Sequence, residues 1–275
     1  MANQKHLQLL LSSSATNWNN WRQENPHIVI DLQNANLSKC NLSQFNLKEA
    51  NLEKADLSQA NLTKTNLSKA NLTKANFTKV YGRDANFSLA NLQDANCFNA
   101  YFIQADFSKS CLLGVNFQEA NCTESFFIGS NLSYANLSRG IFRGVSFVEA
   151  NLKEANLREI ILNEGDLTAA KANNTDFSQG TLTGIIIEDW QINDFTKFEQ
   201  VICNYLFVSS QEKITTDFQC FPHTSSFLQF ALNKNSINDV KLNEVINILE
   251  IKKMAIEEQI QQLINNNTNQ HLMAS

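Results

Sequence analysis

Histidine and cysteine are among the side chains of this 275-residue chain that could act as nucleophiles, general bases or metal ligands. The four histidines are His6, His27, His223 and His271. None has a serine, cysteine or carboxylate at a recognisable motif spacing. The six cysteines are Cys40, Cys97, Cys111, Cys122, Cys203 and Cys220, with no CxxC pair among them. With no phosphate-binding glycine loop either, the sequence predicts no enzyme, no metal site and no cofactor.

Composition narrows the class of protein further. The net charge of −5 excludes a strongly basic nucleic-acid binder, so we expect no direct nucleic-acid binding. No apolar run approaches the roughly 20 residues of a membrane span, so no membrane contact is expected. Cysteines without paired spacing are typical of a reducing compartment, and the prediction is a cytoplasmic protein.

A strict five-residue period organises the middle of the chain. Large apolar residues recur at every fifth position from Leu32 to Ile187, giving 32 repeats without insertion. Four of these centre positions depart from the large apolar type: Gly82, Cys97, Cys122 and Ala172. Alanine or another small residue stands two positions before most centres, Asn or Asp one before, and polar residues follow. Neither a helix nor an alternating strand has this period, so each unit must turn a corner and bury its centre and its small residue.

This A-N-L-x-x pattern resembles that of the pentapeptide-repeat family. The resemblance implies an all-β solenoid, a right-handed quadrilateral β-helix of about eight coils over residues 30–189, with four repeats per coil. Residues 20 apart should then stack, so Phe102 should fill the space beside Gly82. The same spacing predicts a ladder of four rings formed by Phe87, Phe107, Phe127 and Phe147.

The segments on either side of the repeats are expected to cover the open ends of the solenoid. Residues 1–29 contain WNNWRQENP, which resembles the W-N-x-W-R-x-x-N-P lead-in of cyanobacterial members of the family. It predicts a helical cap ended by Pro26, with a partner-binding helix as the alternative. Residues 190–275 form a C-terminal extension, predicted to be mainly helical, and its EDWQINDFTKFEQVICNYLFV stretch is similar to the same cyanobacterial proteins.

An amphipathic helix is predicted over residues 239–264, where Leu242, Leu249, Ile256 and Leu263 recur every seven residues. It would pack on the solenoid or its cap, or form a homodimer through a coiled coil. The Asn-rich tail after Ile264 is predicted to be disordered.

Charge is unevenly distributed along the repeats. Residues 30–82 carry a net charge of +3 and residues 83–189 a net charge of −6. Some members of the family resemble B-form DNA and bind type II topoisomerases, which requires acidity along the whole rod. A basic half weakens that interpretation, and ordinary solvation of a polar surface explains the charges as well.

Outward positions are mostly polar, but the middle coils break this rule. Tyr81, Tyr101, Ile141 and Ile161 share one outward column at 20-residue spacing. Phe98, Ile103, Phe126 and Ile128 are expected beside them, around the neighbouring corners. Contiguous exposed apolar surface is typical of partner sites. This candidate surface would bind another protein, or the C-terminal segment would fold back over it.

The sequence therefore favours a non-enzymatic protein-interaction scaffold or regulatory binding protein whose partner is another protein. Some cyanobacterial members of the family that it resembles regulate cell differentiation by binding a transcription regulator. The alternative is a DNA mimic that binds a type II topoisomerase such as gyrase.

Overall fold

The repeating unit folds as a short bridge followed by a tight turn. In the computed structural model, which describes residues 2–215 and 220–232, the Ala35 N–H donates to the Leu32 carbonyl at 2.9 Å and closes a four-residue turn. The third residue of that turn, Asn34, has a φ of +59°, the arrangement of a type II turn. Every fifth residue from Asn34 to Asp189 shares this left-handed conformation, and we call these the corner residues.

Glycine normally occupies such positions because other residues pay a steric penalty there. Here most corner residues are Lys, Glu, Gln, Asn or Asp. Nearly all are held by a backbone hydrogen bond to the next coil, as when the Lys54 N–H donates to the Thr73 carbonyl at 2.9 Å. Where the residue before a centre is Asn or Asp, it adds a local turn, because its side-chain oxygen accepts from a backbone N–H two positions on. Ser38 N–H to Asn36 Oδ1, at 3.1 Å, is one example.

Parallel bridges join residues 20 apart and stack the coils into a β-helix. The pairing begins with Asp31 and Asn51 and repeats at every fifth residue. Four five-residue faces therefore make one coil. We number the faces by their first centre residues, Leu32, Leu37, Leu42 and Leu47, as faces 1 to 4.

The centres and the small residues fill a continuous core. The ring centroids of Phe87 and Phe107 lie 4.7 Å apart, those of Phe107 and Phe127 4.9 Å, and those of Phe127 and Phe147 5.2 Å. The predicted ladder is thus present. Phe102 occupies the space beside Gly82, where an added Cβ would lie 2.6 Å from its ring.

Two helices precede the first coil. Helix α1 spans Gln4–Ser12 and begins at Asn3, whose side chain accepts from the N–H groups of Lys5 and His6. Helix α2 spans Ala15–Glu24 and begins at Ser14, whose hydroxyl accepts from the Asn17 N–H. Pro26 follows two residues after its end and cannot continue it. Trp18 on α2 is fully buried, and Leu10 on α1 is nearly so.

Stacking continues past the predicted boundary at residue 189. Bridges join Asp176 to Lys197 and Ile186 to Phe207, at a spacing of 21. One inserted residue between 191 and 197 breaks the five-residue pattern, which is why the sequence predicted about eight coils and did not reveal this ninth one. Phe198 continues the core, stacked 5.2 Å from Phe177.

The described part of the C-terminal extension also contains more strand than the mainly helical prediction implied. Its elements are β1 (Val201–Ile202), β2 (Tyr205–Phe207), β3 (Lys213–Thr215), β4 (Cys220–Phe221) and α3 (Thr224–Leu232). Strand β1 pairs antiparallel with β4, and β2 with β3. The edge of the ninth coil is thereby paired with strands of opposite direction, and Phe227 of α3 stacks on Phe198 at 4.5 Å.

The chain divides into two compact units, Met1–Ala231 and Leu232–Ser275. The amphipathic helix predicted over 239–264, the homodimer through it, and the predicted disordered tail all lie outside the described residues.

Candidate functional site

Exposed aromatic side chains interrupt the polar surface of the middle coils. Tyr81 and Tyr101 are paired by a parallel bridge and their rings stack, with centroids 5.4 Å apart and planes 9° from parallel. Tyr81 is 56% exposed and Tyr101 41% exposed. Both belong to face 3, and Ile103 lies on the same face as a half-buried residue.

The remaining residues of the candidate surface divide among three faces. Phe126, 46% exposed, and Ile128, 36% exposed, lie on face 4, one corner away from Ile103. Phe98 lies on face 2, around the opposite corner, and is half-buried. Ile141 and Ile161 continue the tyrosine column on face 3, but Asn121 separates them from Tyr101. The most exposed members therefore cluster around Tyr101.

Leu89 and Tyr134 are exposed apolar residues that the sequence argument did not single out. Leu89 is 52% exposed and Tyr134 56% exposed. Both are corner residues with positive φ, and a corner side chain always points to solvent in this fold. Their position in the five-residue repeat was the signal that could have found them.

Charged side chains that form no ion pairs among the described residues flank the candidate surface. Lys79 and Arg83 lie on the side nearer the N-terminus, and Glu119 and Glu124 on the side nearer the C-terminus. Among the described residues, none of these four makes an ion pair within 4.0 Å. The Glu124 carboxylate accepts a hydrogen bond from Gln104 at 2.9 Å.

Three of the six cysteines are buried in the core. Cys97 and Cys122 are fully buried at centre positions, and desolvation by burial raises the pKa of both thiols. Burial raises the pKa of Cys203 to about 12, against a weaker lowering by the Tyr205 backbone. Such thiols are inert because the thiolate is the nucleophile.

The described residues contain no group of three or more His, Cys, Asp or Glu side chains placed to hold a metal ion. None of the helices in ranges 2–215 and 220–232 is long and apolar enough to cross a bilayer.

A shallow groove with charged walls lies near the C-terminal end of the repeats. It encloses about 380 Å³ between Arg158, Gln179, Lys197 and Glu199. Burial raises the pKa of Glu199, but hydrogen bonds from Ser178, from its own backbone and from Thr224 outweigh it and leave the pKa lowered. Arg158 and Lys197 both approach Asp176 at 3.8 Å. These groups pair with one another across the groove, as when Arg158 Nη2 donates to Gln179 Oε1 at 3.2 Å.

Several solved structures are similar to this chain. HetL from the cyanobacterium Nostoc sp. strain PCC 7120, a pentapeptide repeat protein involved in heterocyst differentiation regulation, is 20% identical. The match covers 67% of this chain and 95% of HetL, with a TM-score of 0.35. QnrB1, a plasmid-mediated fluoroquinolone resistance protein, is 14% identical over 58% of this chain and 88% of its own, with a TM-score of 0.31. Rfr23 from the cyanobacterium Cyanothece 51142 is 24% identical over 42% and 64%, with a TM-score of 0.20.

A comparison with curated protein sequences finds no match. Family assignment rests on the repeats themselves. Eight copies of the family described as pentapeptide repeats match residues 30–68, 83–118, 110–147 and 150–189. The right-handed β-helix that this family implies agrees with the parallel bridges at 20-residue spacing. Because the matched copies cover more than half of the 275 residues, the protein belongs to the pentapeptide repeat family.

Proposed function

We propose that this protein is a non-enzymatic scaffold that binds another protein through the apolar surface around Tyr101. The observation that carries the proposal is the exposure of Tyr81, Tyr101, Phe126 and Ile128 together on a rod whose other outward positions are mostly polar. Burying these side chains against a partner would contribute roughly 25 cal/mol for each Å² of apolar area removed from water.

The architecture supports binding over catalysis. Centres and small residues fill the interior of the coils, so the core has no room for a substrate. The outward surface is flat within each face, and a flat surface suits a protein partner better than a small molecule. Tyrosine and phenylalanine are also the side chains enriched at protein interfaces.

The test is affinity capture of the partner from native cytosol with the full chain as bait. A double variant, Tyr101→Ser with Phe126→Ser, should lose the captured protein by at least tenfold, because both anchors are removed. The matched control is Tyr134→Ser with Leu89→Ser, which removes two equally exposed apolar side chains at corner positions. The control should retain the partner. Quantitative mass spectrometry of the eluates measures both outcomes.

Capture that is equally strong with the Tyr101 and Phe126 variant would contradict the proposed surface. Circular dichroism must show that the variant keeps the wild-type unfolding temperature, so that a lost partner reports on the surface and not on the fold.

A second candidate function is mimicry of DNA toward a type II topoisomerase. The favouring observation is a set of four consecutive corner glutamates, one at each corner of the rod: Glu149, Glu154, Glu159 and Glu164. All four are exposed. The lysine-rich corners of residues 39–79 oppose this function, because they would be repelled by a positively charged DNA-binding groove.

A further inference from the structure

One corner of the β-helix carries a charge pattern in which opposite charges would meet if two copies lay side by side in opposite directions. This corner lies between faces 2 and 3 and presents, in order along the rod, Lys39, Gln59, Lys79, Asn99, Glu119, Arg139 and Glu159. We call it the charge-alternating corner. All of its residues are exposed except Asn99, which is half-buried.

Backbone geometry fixes the spacing along this corner. The Lys79 N–H donates to the Phe98 carbonyl at 3.0 Å, and the Asn99 N–H donates to the Gln118 carbonyl at 3.0 Å. The same bond joins every successive pair of corners, so neighbours are one strand spacing apart, about 4.8 Å. Seven residues therefore extend over about 29 Å of the rod.

A two-fold axis through Asn99 turns this pattern into a set of ion pairs. In an isologous pair of antiparallel rods, a residue one coil before the axis faces the residue one coil after it in the second copy. Lys79 then faces Glu119 of the second copy. Two coils further from the axis, Lys39 faces Glu159. The two-fold axis repeats each of these contacts once. Gln59 faces Arg139, so no like charges meet along the corner.

The corners between faces 1 and 2 and between faces 3 and 4 match less well, because each places only one lysine opposite a glutamate: Lys54 faces Glu154, and Lys64 faces Glu164. The corner between faces 4 and 1 comes nearest, since about Gly129 Lys109 faces Glu149 and Lys69 faces Asp189, but Lys69 is already held by Glu49 at 3.5 Å. At the charge-alternating corner, moreover, Lys39, Lys79 and Glu119 make no ion pair within the described residues. Glu159 is held by Arg139 at 3.2 Å.

Apolar side chains lie where the axis would pass. Phe98 immediately precedes Asn99, and Tyr101 follows it on the neighbouring face. Arg83 on face 3 would face the neutral Thr123 of the second copy, so the flanking columns add no repulsion. An interface with an aromatic centre and charged ends is the usual anatomy of a protein–protein contact.

We propose that a second copy of this chain binds along the charge-alternating corner, antiparallel, with the two-fold axis at Asn99. The strip is narrow, and a small interface is typical of weak complexes, so we expect the dimer to dissociate in about the micromolar range. Exposed ion pairs are screened by salt, so the dimer weakens as ionic strength rises.

This dimer overlaps the proposed partner site at Tyr101, but the two can be tested separately. It covers Phe98 and Tyr101 partly, but Phe126 and Ile128 lie on face 4, beyond the far edge of face 3. The charge variants that test the dimer leave all four of these side chains unchanged. Loss of the dimer with partner capture retained, or the reverse, therefore separates the two proposals.

Sedimentation equilibrium of the full chain at low salt tests the proposal. The wild type should shift from 31.0 kDa toward twice that mass across the micromolar range. Lys79→Glu alone and Glu119→Lys alone should each raise the dissociation constant at least tenfold, because like charges then meet twice. An equimolar mixture of the two variants should restore a dimer, since every contact in the mixed pair joins opposite charges.

The matched controls lie at the diagonally opposite corner. Lys109→Glu and Glu149→Lys make the same charge changes at exposed corner residues that also lack an ion pair in the described part of the chain, and they should dimerise like the wild type. A wild type that stays monomeric up to submillimolar concentration overturns the proposal. So does a dimer that Lys79→Glu leaves unchanged, which would assign dimerisation to another part of the chain, or a mixture that remains monomeric.

Discussion

At the scale of single residues, the five-residue phase determines what each side chain does. Cysteine at a centre position behaves as a small apolar residue, as Cys97 and Cys122 do in full burial. The sequence predicted both, because the period assigns an inward direction to every centre. It also predicted that Phe102 fills the space beside Gly82. The sequence argument missed the exposed Leu89, because it considered the apolar side chain and not the corner position of Leu89 in the five-residue repeat.

The buried thiols lead to a prediction about reactivity and pH. Cys97, Cys122 and Cys203 should react with a thiol reagent about a thousandfold more slowly than exposed Cys220, since they are reached only when the fold opens. Burial raises their pKa values, so the folded state keeps protons that the unfolded chain loses. The stability due to the buried protons is complete below the ordinary thiol pKa and declines as pH rises above it.

Timed labelling with mass-spectrometric site assignment measures the reactivity, and thermal unfolding between pH 7 and about pH 10, a range that spans the ordinary thiol pKa, measures the stability. A variant with Cys97→Ala and Cys122→Ala is the control and should lose less stability over that range. Rapid labelling of Cys97 in the folded protein would show that the core is open to solvent.

At the scale of elements, the open sheet edges at the two ends of the β-helix are covered by different kinds of hydrogen bond. Helix α2 uses side chains: Trp18 Nε1 donates to the Asn46 carbonyl at 2.8 Å, and Arg22 Nη2 donates to the Lys48 carbonyl at 3.1 Å. Asn19 Oδ1 accepts from the Asn46 N–H at 2.8 Å. At the other end, strands β3 and β4 supply backbone groups. The described N-terminal helices follow the predicted lead-in, whereas the strands carry no distinctive period and could not be predicted.

Trp18→Ala should destabilise the protein by about 3–5 kcal/mol, because it leaves a cavity between α2 and the first coil and removes the donor to the Asn46 carbonyl. Urea unfolding followed by circular dichroism measures the loss. Trp21→Ala is the control, since Trp21 is only partly buried, and it should cost less. Equal losses for the two variants would mean that α2 does not cover the edge through Trp18.

At the scale of the whole molecule, charge changes sign along the repeats while the backbone stays uniform. Residues 30–82 carry +3 and residues 83–189 carry −6. This gradient was readable from the sequence because the period gives every charge an outward direction. Ion pairs between stacked corners follow the same 20-residue spacing: Lys69 reaches Glu49 at 3.5 Å, whereas Lys79 stands between Gln59 and Asn99 and reaches no carboxylate among the described residues.

The gradient predicts a negative result with a topoisomerase. Full-length protein at micromolar concentration should leave the DNA supercoiling activity of purified gyrase unchanged, because its basic half is repelled from a DNA-binding groove. A variant in which Lys54, Lys64 and Lys74 are changed to Glu is the informative control, since it extends acidity along the rod. Inhibition by the unmodified protein would favour DNA mimicry over the scaffold function.

The left-handed corners have a consequence for protein engineering. Each corner side chain points to solvent from a backbone fixed by its own turn, with φ between 52° and 66° for the non-glycine residues of the repeats. Attachment points at successive corner residues along one edge are therefore about 4.8 Å apart. Pairs of labels at Lys54 and Lys74, or at Lys39 and Lys79, would be separated by one and two such steps. The protein can thus serve as a graduated molecular ruler for calibrating short-range distance measurements.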